Sequence, residues 1–260
     1  MMLKTLAVGL MTGLMMQAAT ARPLDEIRTG GTLNVVTAAS SPPHGFKNPE
    51  TNQLEGIMVD VVAGVAKHMK LKTDFTLVPF AGLIPTLTSG RVDVMSGPLF
   101  ITEERAKVVD FSLPVYEWGE GVVVKTSAPK PITRFEDMQG HKVGVLVDSV
   151  QFNMIKDMPG ATVSTYPDYV TLLADLRAGR IDLGVVDPPS IVYQIKSHDI
   201  SGVKLDTAYK PQKIWQVGMA VVKGNATLLK AVNDALTEMR ASGEMAEIGR
   251  KWGVADMMSE

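Results

Sequence analysis

Two stretches of the chain follow one pattern: Phe80-Ala-Gly-Leu-Ile-Pro-Thr-Leu-Thr-Ser-Gly-Arg-Val-Asp-Val94 and Tyr169-Val-Thr-Leu-Leu-Ala-Asp-Leu-Arg-Ala-Gly-Arg-Ile-Asp-Leu183. When Gly90 is aligned with Gly179, both copies show leucines at helical spacing, then Gly-Arg-x-Asp, then an apolar run. This order predicts a helix that ends at a left-handed glycine and a strand that follows it. Two such units indicate two similar lobes, and a cleft between lobes is a common place for a small ligand.

The composition excludes several classes of function. The formal net charge is −2 over 260 residues and no basic stripe is present, so we expect no nucleic-acid partner. The sequence has no cysteine, which excludes disulfides, thiolate catalysis and cysteine-ligated zinc. Its four histidines are scattered without ligand spacing, and it contains no phosphate-binding glycine loop. We therefore expect neither a metal nor a cofactor.

The first 21 residues are typical of a cleaved export signal. Lys4 gives a positive start, Leu6–Met16 is a short apolar run, and Ala19-Thr-Ala21 fits a small-x-small cleavage site. A membrane anchor is the alternative, but a bilayer span needs about 20 apolar residues and this run is about half as long. We predict cleavage after Ala21 and a mature protein that is freely soluble in the periplasm.

The rest of the pattern predicts an α/β fold with two lobes, each a mostly parallel sheet flanked by helices. Strands and helices alternate from Thr32 to Val94, and a second set begins at His141. Long strands at Val115–Lys125 and Lys213–Val222 predict two hinge strands, which permit closure but limit twisting.

The chain order assigns the lobes. The helical segment Asn225–Trp252 has no strands of its own and is expected to pack on the first lobe. We therefore predict that residues 22–115 and 217–260 form lobe 1 and that residues 116–216 form lobe 2.

Ligands of open α/β sheets bind beyond the carboxyl ends of the strands. After the repeated units, this rule selects Met95–Arg105 in lobe 1 and Val185–Pro189 in lobe 2. Arg105, the only cation of its segment, can hold a carboxylate through two parallel hydrogen bonds, and Asp187 can accept from an ammonium group. Together they suit the two ends of a free amino acid. The alternatives are a solvated helix arginine and an aspartate that caps the next helix.

Other candidates lie near the expected cleft. Phe80 either packs in the core or forms an apolar wall, and Ser149 can offer its hydroxyl and backbone N–H to an anion. Asp148 is either a helix N-cap or a ligand group, and His44 lies in a loop at the expected cleft mouth. The candidate ligand-binding residues are Arg105, Asp187, Phe80, Ser149, Phe100, Ser96, Asp148 and His44. No residue is predicted to be catalytic or to bind metal.

Several short motifs occur together over nearly the whole chain after the signal. They are Gly56-Ile-Met-Val-Asp60, Phe80-Ala-Gly-Leu-Ile-Pro85, Gly90-Arg-Val-Asp93, Ile101-Thr-Glu-Glu-Arg105, Val109-Asp-Phe-Ser112, Phe135-Glu-Asp-Met-Gln-Gly140, Gly179-Arg-Ile-Asp182, Asp187 and Lys251-Trp-Gly253. In this order the chain resembles the periplasmic amino-acid-binding proteins of ABC importers, family 3 of the solute-binding proteins.

The resemblance implies a two-lobed fold that closes on a ligand and presents it to a membrane permease. It also implies that Arg105 holds the α-carboxylate, that Asp187 holds the α-amino group, and that Phe80 lines the ligand side chain. We expect a monomer.

Three positions depart from the family's pattern. Pro98 has no backbone N–H where the family often has Gly or Ser, and Phe100 replaces a Thr or Ser hydroxyl. The turn Val147-Asp-Ser-Val150 replaces a Gly-Ser-Thr-like turn. The ligand carboxylate would then depend on Arg105 and Ser149. We therefore expect either an amino acid-like ligand or another small carboxylate.

Two other functions stay open at this point. One is an exported cyclohexadienyl (prephenate or arogenate) dehydratase-like enzyme on the same fold, for which Asp148 or Asp187 would be the acid. The other is a soluble partner that delivers the ligand to a receptor rather than to a transporter.

Overall fold

The structure is a computed structural model that describes residues 21–259, so the predicted signal at residues 1–20 lies outside the described residues. The helices and strands in chain order are α1 (Leu24–Gly30), β1 (Thr32–Ala38), β2 (Ser40–Ser41), β3 (Gly45–Lys47), β4 (Leu54–Glu55), α2 (Ile57–His68), β5 (Lys72–Val78), α3 (Leu83–Thr88), β6 (Val94–Met95), α4 (Glu103–Ala106), β7 (Val109–Gly119), β8 (Gly121–Lys125), β9 (Lys142–Leu146), α5 (Val150–Ile155), β10 (Thr162–Tyr166), α6 (Tyr169–Ala178), β11 (Leu183–Val186), α7 (Pro188–Ser197), β12 (Val203–Leu205), β13 (Ile214–Val222), α8 (Ala226–Ala241) and α9 (Glu244–Trp252).

Two five-stranded sheets carry the fold, in the orders β5-β1-β6-β13-β7 and β10-β9-β11-β8-β12. In the first sheet β1 is parallel to β5 and β6, and β13 is antiparallel to β6 and β7. In the second sheet β9 is parallel to β10 and β11, and β8 is antiparallel to β11 and β12. Each sheet therefore has four strands in one direction and one reversed strand, in the same relative place. Each sheet with its packed helices is one lobe of the predicted two-lobed α/β fold.

The C-terminal helices α8 and α9 pack against α2. Apolar side chains at helical spacing on α8 form its buried face and meet the buried face of α2. These residues join one continuous core: Ile57, Val61, Val65, Leu228, Val232, Leu236 and Met239. The second lobe has separate cores on the two faces of its sheet.

The repeated units adopt the same local structure in both lobes. Gly90 and Gly179 have positive φ angles of 71° and 75°, as predicted for the residues that end these helices. The aspartate of each repeat then makes the same two bonds to the neighbouring strand. The backbone N–H of Asp93 donates to the Asn34 carbonyl at 2.8 Å. The Asp93 carboxylate accepts from the Asn34 backbone N–H, also at 2.8 Å. Asp182 bonds Lys142 in the same way, also at 2.8 Å.

The chain crosses between the sheets at two places. The predicted single strand Val115–Lys125 is wrong: β7 ends at Gly119 in the first sheet, and β8 begins at Gly121 in the second. The buried residue between them, Glu120, joins the two crossings. Its Oε1 accepts hydrogen bonds from the Tyr209 hydroxyl at 2.9 Å and the Gln212 backbone N–H at 2.6 Å.

β7 and β13 stay paired as far as Gly119 and Ile214, so the first sheet extends past the lobe boundaries predicted near residues 116 and 216. The residue-by-residue division into lobes stays a prediction. Within residues 21–259, no helix has both the length and the apolar character that a membrane crossing requires.

Candidate functional site

Arg105 lies on the short helix α4, where the Thr102 side chain caps the helix by accepting from the Arg105 backbone N–H at 3.2 Å. The Arg105 guanidinium is half-buried and donates to two backbone carbonyls. Nη1 bonds Phe100 O at 3.1 Å, and Nη2 bonds Asp148 O of the second lobe at 3.2 Å. Burial lowers the pKa of Arg105 to about 10, against the opposing fields of Glu104, Asp187 and Asp148. Arg105 is thus a desolvated cation, and neither of these two bonds goes to a carboxylate.

Asp187 follows strand β11 and precedes α7, where it occupies the N-cap position without a side-chain cap bond. Its Oδ1 instead accepts from Trp118 Nε1 at 3.1 Å and from Gln151 Nε2 at 2.9 Å. Its backbone N–H donates to the Tyr169 hydroxyl at 3.0 Å. Burial raises the pKa of Asp187, and the bonds from Trp118, Tyr169 and Gln151 and the charge of Arg105 oppose that rise. One oxygen of this buried carboxylate, Oδ1, therefore has two neutral hydrogen-bond donors.

An aromatic cluster fills the space beside Asp187 and consists of His44, Phe100, Tyr116, Trp118 and Trp215, all buried. The Trp118 ring centroid lies 4.8 Å from His44, 4.7 Å from Tyr116 and 4.9 Å from Phe100. Phe100 stacks in turn on Trp215 at 5.3 Å. These contacts fix the Trp118 indole in one place.

His44 lies inside this cluster. It is fully buried, so its predicted place at the cleft mouth is wrong. Its Nδ1 lies 2.6 Å from the Tyr116 hydroxyl, and burial lowers the pKa of the ring to about 3. The imidazole is therefore neutral at pH 7.

Phe80 forms one wall beside Arg105. Its ring centroid lies 6.0 Å from Arg105 Cζ, within the range of a cation–π contact. The ring is partly buried against the core of the first lobe, so both predicted roles of Phe80 have a basis in its contacts.

Ser96 and Ser149 use their hydroxyls inside the protein. The Ser96 Oγ donates to Met58 O at 2.7 Å in a fully buried site. The Ser149 Oγ donates to Leu146 O at 2.7 Å and accepts from the Phe152 N–H at 3.0 Å, so Ser149 is the N-cap of α5. The alternative of Asp148 as the N-cap is therefore wrong. Asp148 is exposed and has a positive φ of 57°.

A cavity of about 670 Å³ lies between α4 of the first lobe and α5 of the second. Its lining residues include Arg105, Asp148, Phe152, Lys213 and Trp215, but not Asp187. Of the two residues predicted to hold the ends of an amino acid, Arg105 lines this cavity and Asp187 does not, and the carboxylates of Glu104 and Asp148 line it as well. Within residues 21–259, no group of histidine and acidic side chains is arranged to hold a metal ion.

Four contacts of the site were not predicted from the sequence. Trp118, Gln151 and Tyr169 contact Asp187, and Trp215 lines the cavity. Trp118 carried a usable signal, because it lies in a strand predicted to cross between the lobes, close to any ligand between them. Gln151 carried a weaker signal, since it lies two residues after the candidate Ser149, in the first turn of α5.

Residues 33–255 match the sequence pattern of a known family, the bacterial extracellular solute-binding proteins, family 3. The chain belongs to this family. Among its relatives, the L-cystine-binding protein TcyJ of Escherichia coli (strain K12) is 32% identical over 254 residues, covering 97% of this chain and 94% of that protein.

Solved structures agree with the fold of this solute-binding protein. An ancestral arginine-binding protein bound to arginine has a TM-score of 0.79 and 37% identity, covering 85% of this chain and 98% of that one. An ancestral amino acid-binding protein, described as a precursor of cyclohexadienyl dehydratase, has a TM-score of 0.80 and 31% identity, covering 88% and 98%.

These likenesses confirm the predicted family and the two-lobed fold. The named relatives are binding proteins rather than enzymes, which supports a non-enzymatic solute-binding protein over the dehydratase alternative. The family is also one of exported proteins, in agreement with an export signal at the N-terminus.

Proposed function

We propose that this solute-binding protein captures a small amino acid-like or other carboxylate ligand between its lobes in the periplasm and delivers it to the permease of an ABC importer. The relatives support an amino acid-like ligand, since their names give L-cystine and arginine. The observation that carries the proposal is the half-buried Arg105, whose guanidinium opens to the cavity between α4 and α5. A ligand carboxylate there would give this desolvated cation an anionic partner.

Closure follows from where the partners of Arg105 lie. Its guanidinium belongs to the first lobe, and it donates to Asp148 O in the second. A ligand carboxylate held by Arg105 would lie against the same turn, so binding would favour the closed arrangement. The two crossings joined by Glu120 would act as the hinge.

Arg105→Ala tests the ligand role. Because a hydrogen bond to a charged group contributes about 1.5–3 kcal/mol, loss of two such bonds should weaken carboxylate binding by about 100-fold or more. The matched control is Arg180→Ala, which removes an exposed arginine paired with Asp175 on the second lobe. Calorimetry would follow a thermal-shift screen of amino acids and small carboxylates. Unchanged affinity in Arg105→Ala would exclude the carboxylate role.

Export and partner are tested separately. Cleavage after Ala21 makes Arg22 the first residue, and its side chain pairs with the buried Asp93, so the new terminus is tied to the fold. N-terminal sequencing of the periplasmic fraction should begin Arg-Pro-Leu. Cross-linking in membranes with ligand present should capture a permease, whereas capture of a receptor would favour the sensor role. Sedimentation of the purified protein tests the expected monomer.

A further inference from the structure

Helix α7 makes a contact between the lobes that lies apart from the proposed ligand cavity. The helix packs within the second lobe against β8, β12 and α6. Its Tyr193 also reaches the first lobe, where its ring centroid lies 5.2 Å from that of Phe46 on β3, at an interplanar angle of 57°. This tilted geometry is that of a favourable aromatic pair. Among residues 21–259, the lining of the cavity at Arg105 includes none from α7.

The first lobe holds Phe46 in place. The strand β3 contacts β1 and α2, and Phe46 is 5% exposed. The edge of its ring meets Trp252 of α9, with 6.2 Å between centroids and an angle of 81°. Trp252 is fixed in turn, because its Nε1 donates to Asp60 of α2 at 2.7 Å. Tyr193 therefore packs on a surface that the first lobe orders by itself.

The seam around this aromatic pair is apolar but loosely packed. A cavity of about 370 Å³ lies beside Tyr193, between α7 and the C-terminal segment. Its lining includes residues of α7 and of the segment that follows from α9: Pro189, Val192, Tyr193, Trp252, Val254 and Met257. Because the seam is not filled throughout, the contact of Tyr193 with Phe46 is the place where α7 meets an ordered aromatic surface. Separation of the lobes would expose both rings to water, which disfavours the open form.

We propose that Tyr193 is a positioning residue that sets the balance between the open and closed forms by packing on Phe46 when the lobes close. This inference rests on the closure described under the proposed function. Since the chain itself makes the contact, it stabilises part of the closed population before any ligand binds. The apparent affinity is proportional to the fraction of protein in the binding-competent form. Tyr193 therefore strengthens the binding of every ligand by one common factor and does not choose between ligands.

The distance between the lobes tests this inference in the mature protein without ligand. Because the sequence contains no cysteine, spin labels can be placed by Asp74→Cys on β5 and Arg177→Cys on α6, both exposed. Pulsed electron paramagnetic resonance should show a population at the separation seen in this structure and a second, open population. Loss of one aromatic pair in Tyr193→Ala should lower the closed-to-open ratio by about 2- to 12-fold. A ligand-free protein without a closed population, or a ratio unchanged in Tyr193→Ala, overturns the inference.

Two further variants separate the aromatic contact from general packing. Tyr193→Phe keeps the ring and should keep the closed-to-open ratio. Tyr166→Ala is the matched control, because it removes a second-lobe tyrosine that bonds Asp175 within that lobe at 2.9 Å. It should lower the urea midpoint without changing the ratio. A ratio that falls as much in Tyr166→Ala, or as much in Tyr193→Phe as in Tyr193→Ala, contradicts the assignment.

Calorimetry with L-arginine and L-cystine as probes distinguishes this inference from the proposed function. Each probe that binds should bind more weakly to Tyr193→Ala, by the same factor as the change in the closed-to-open ratio. Binding that depends on Arg105 but not on Tyr193 would leave the proposed function standing and overturn the inference. A ratio that falls in ligand-free Tyr193→Ala, in a protein that binds no amino acid or small carboxylate, would support the inference and contradict the proposed ligand role.

Discussion

The aspartates of the two repeats form a matched pair for measuring what the motif contributes to stability. Asp93 and Asp182 make the same two bonds to a neighbouring strand. They differ in surroundings: the Asp93 side chain is 1% exposed and pairs with Arg22, whereas the Asp182 side chain is 48% exposed. We predict that Asp93→Ala destabilises the protein much more than Asp182→Ala.

The magnitudes follow from the bonds that each change removes. Asp93→Ala removes a bond to the Asn34 N–H and the ion pair with Arg22, whose side chain is 27% exposed and so only partly rehydrated. Removing one member of a buried ion pair costs about 3–5 kcal/mol, and the partial exposure of Arg22 favours the lower end. Asp182→Ala removes the bond from the Lys142 N–H and a contact with His141 Nδ1 at 3.7 Å, at a site that water can reach, which costs about 1 kcal/mol. The expected difference is about 2 kcal/mol.

Urea unfolding of the mature protein at pH 7, followed by circular dichroism, measures this difference. The two variants should differ in the urea concentration at the unfolding midpoint and keep the same dependence of the free energy on urea. Arg22→Ala should give much of the Asp93→Ala loss, and little further loss in the Asp93→Ala background, because both changes remove the same ion pair. Equal destabilisation by Asp93→Ala and Asp182→Ala would refute the argument from burial.

Two further predictions concern the first lobe. His68 on α2 contacts Glu244 of α9 at 3.0 Å and Glu238 of α8 at 2.9 Å, and these carboxylates raise its pKa, Glu244 most. The stability that the protonated His68 gains from these carboxylates is complete below the unfolded pKa of about 6.5 and is lost as pH rises through the folded pKa. His68→Gln should therefore lower the free energy of unfolding more at pH 5.5 than at pH 9. Equal losses at the two pH values in urea unfolding would contradict this prediction. Gly56 has a φ of 142°, and a Cβ at this position would overlap the backbone of His44. Gly56→Ala should therefore lower the free energy of unfolding by about 3 kcal/mol or more. A near-native melting temperature of this variant would disprove the prediction.

Local sequence patterns predicted most of the fold. Gly90 and Gly179 end their helices with positive φ, and Thr102 caps α4, because each signal depends only on a few neighbouring residues. The strand expected at Val115–Lys125 shows the limit of such patterns. The segment on either side of Glu120 is hydrophobic, so the sequence pattern does not mark where one strand ends and the next begins. The change of sheet at Glu120 depends instead on its hydrogen bonds with Tyr209 and Gln212, which are distant in the sequence.

The site was less predictable because its decisive contacts join distant segments. Arg105 and Asp187 could be selected from the ends of the repeated units, but the bond from Trp118 to Asp187 spans two sheets and has no sequence spacing. The cap of α5 shows a smaller difficulty. Asp148 and Ser149 are both good cap residues, and only the backbone geometry shows that Ser149 takes this role.

Aligning the two repeats gives a reason to expect that the proposed ligand carboxylate depends on Arg105. The alignment sets Pro98 opposite Asp187, so the first lobe presents a residue without an N–H donor where the second presents a buried charge. Ser96, the nearby hydroxyl, is bonded to Met58 O and cannot replace that donor. We therefore expect Arg105 to supply the recognition of an anion from the first lobe, while Asp187 of the second lobe keeps its Oδ1 bonded to Trp118 and Gln151. A carboxylate bound at Arg105 would lie beside Trp215, which lines the same cavity, so we expect the ligand to combine a carboxylate with an apolar or aromatic portion.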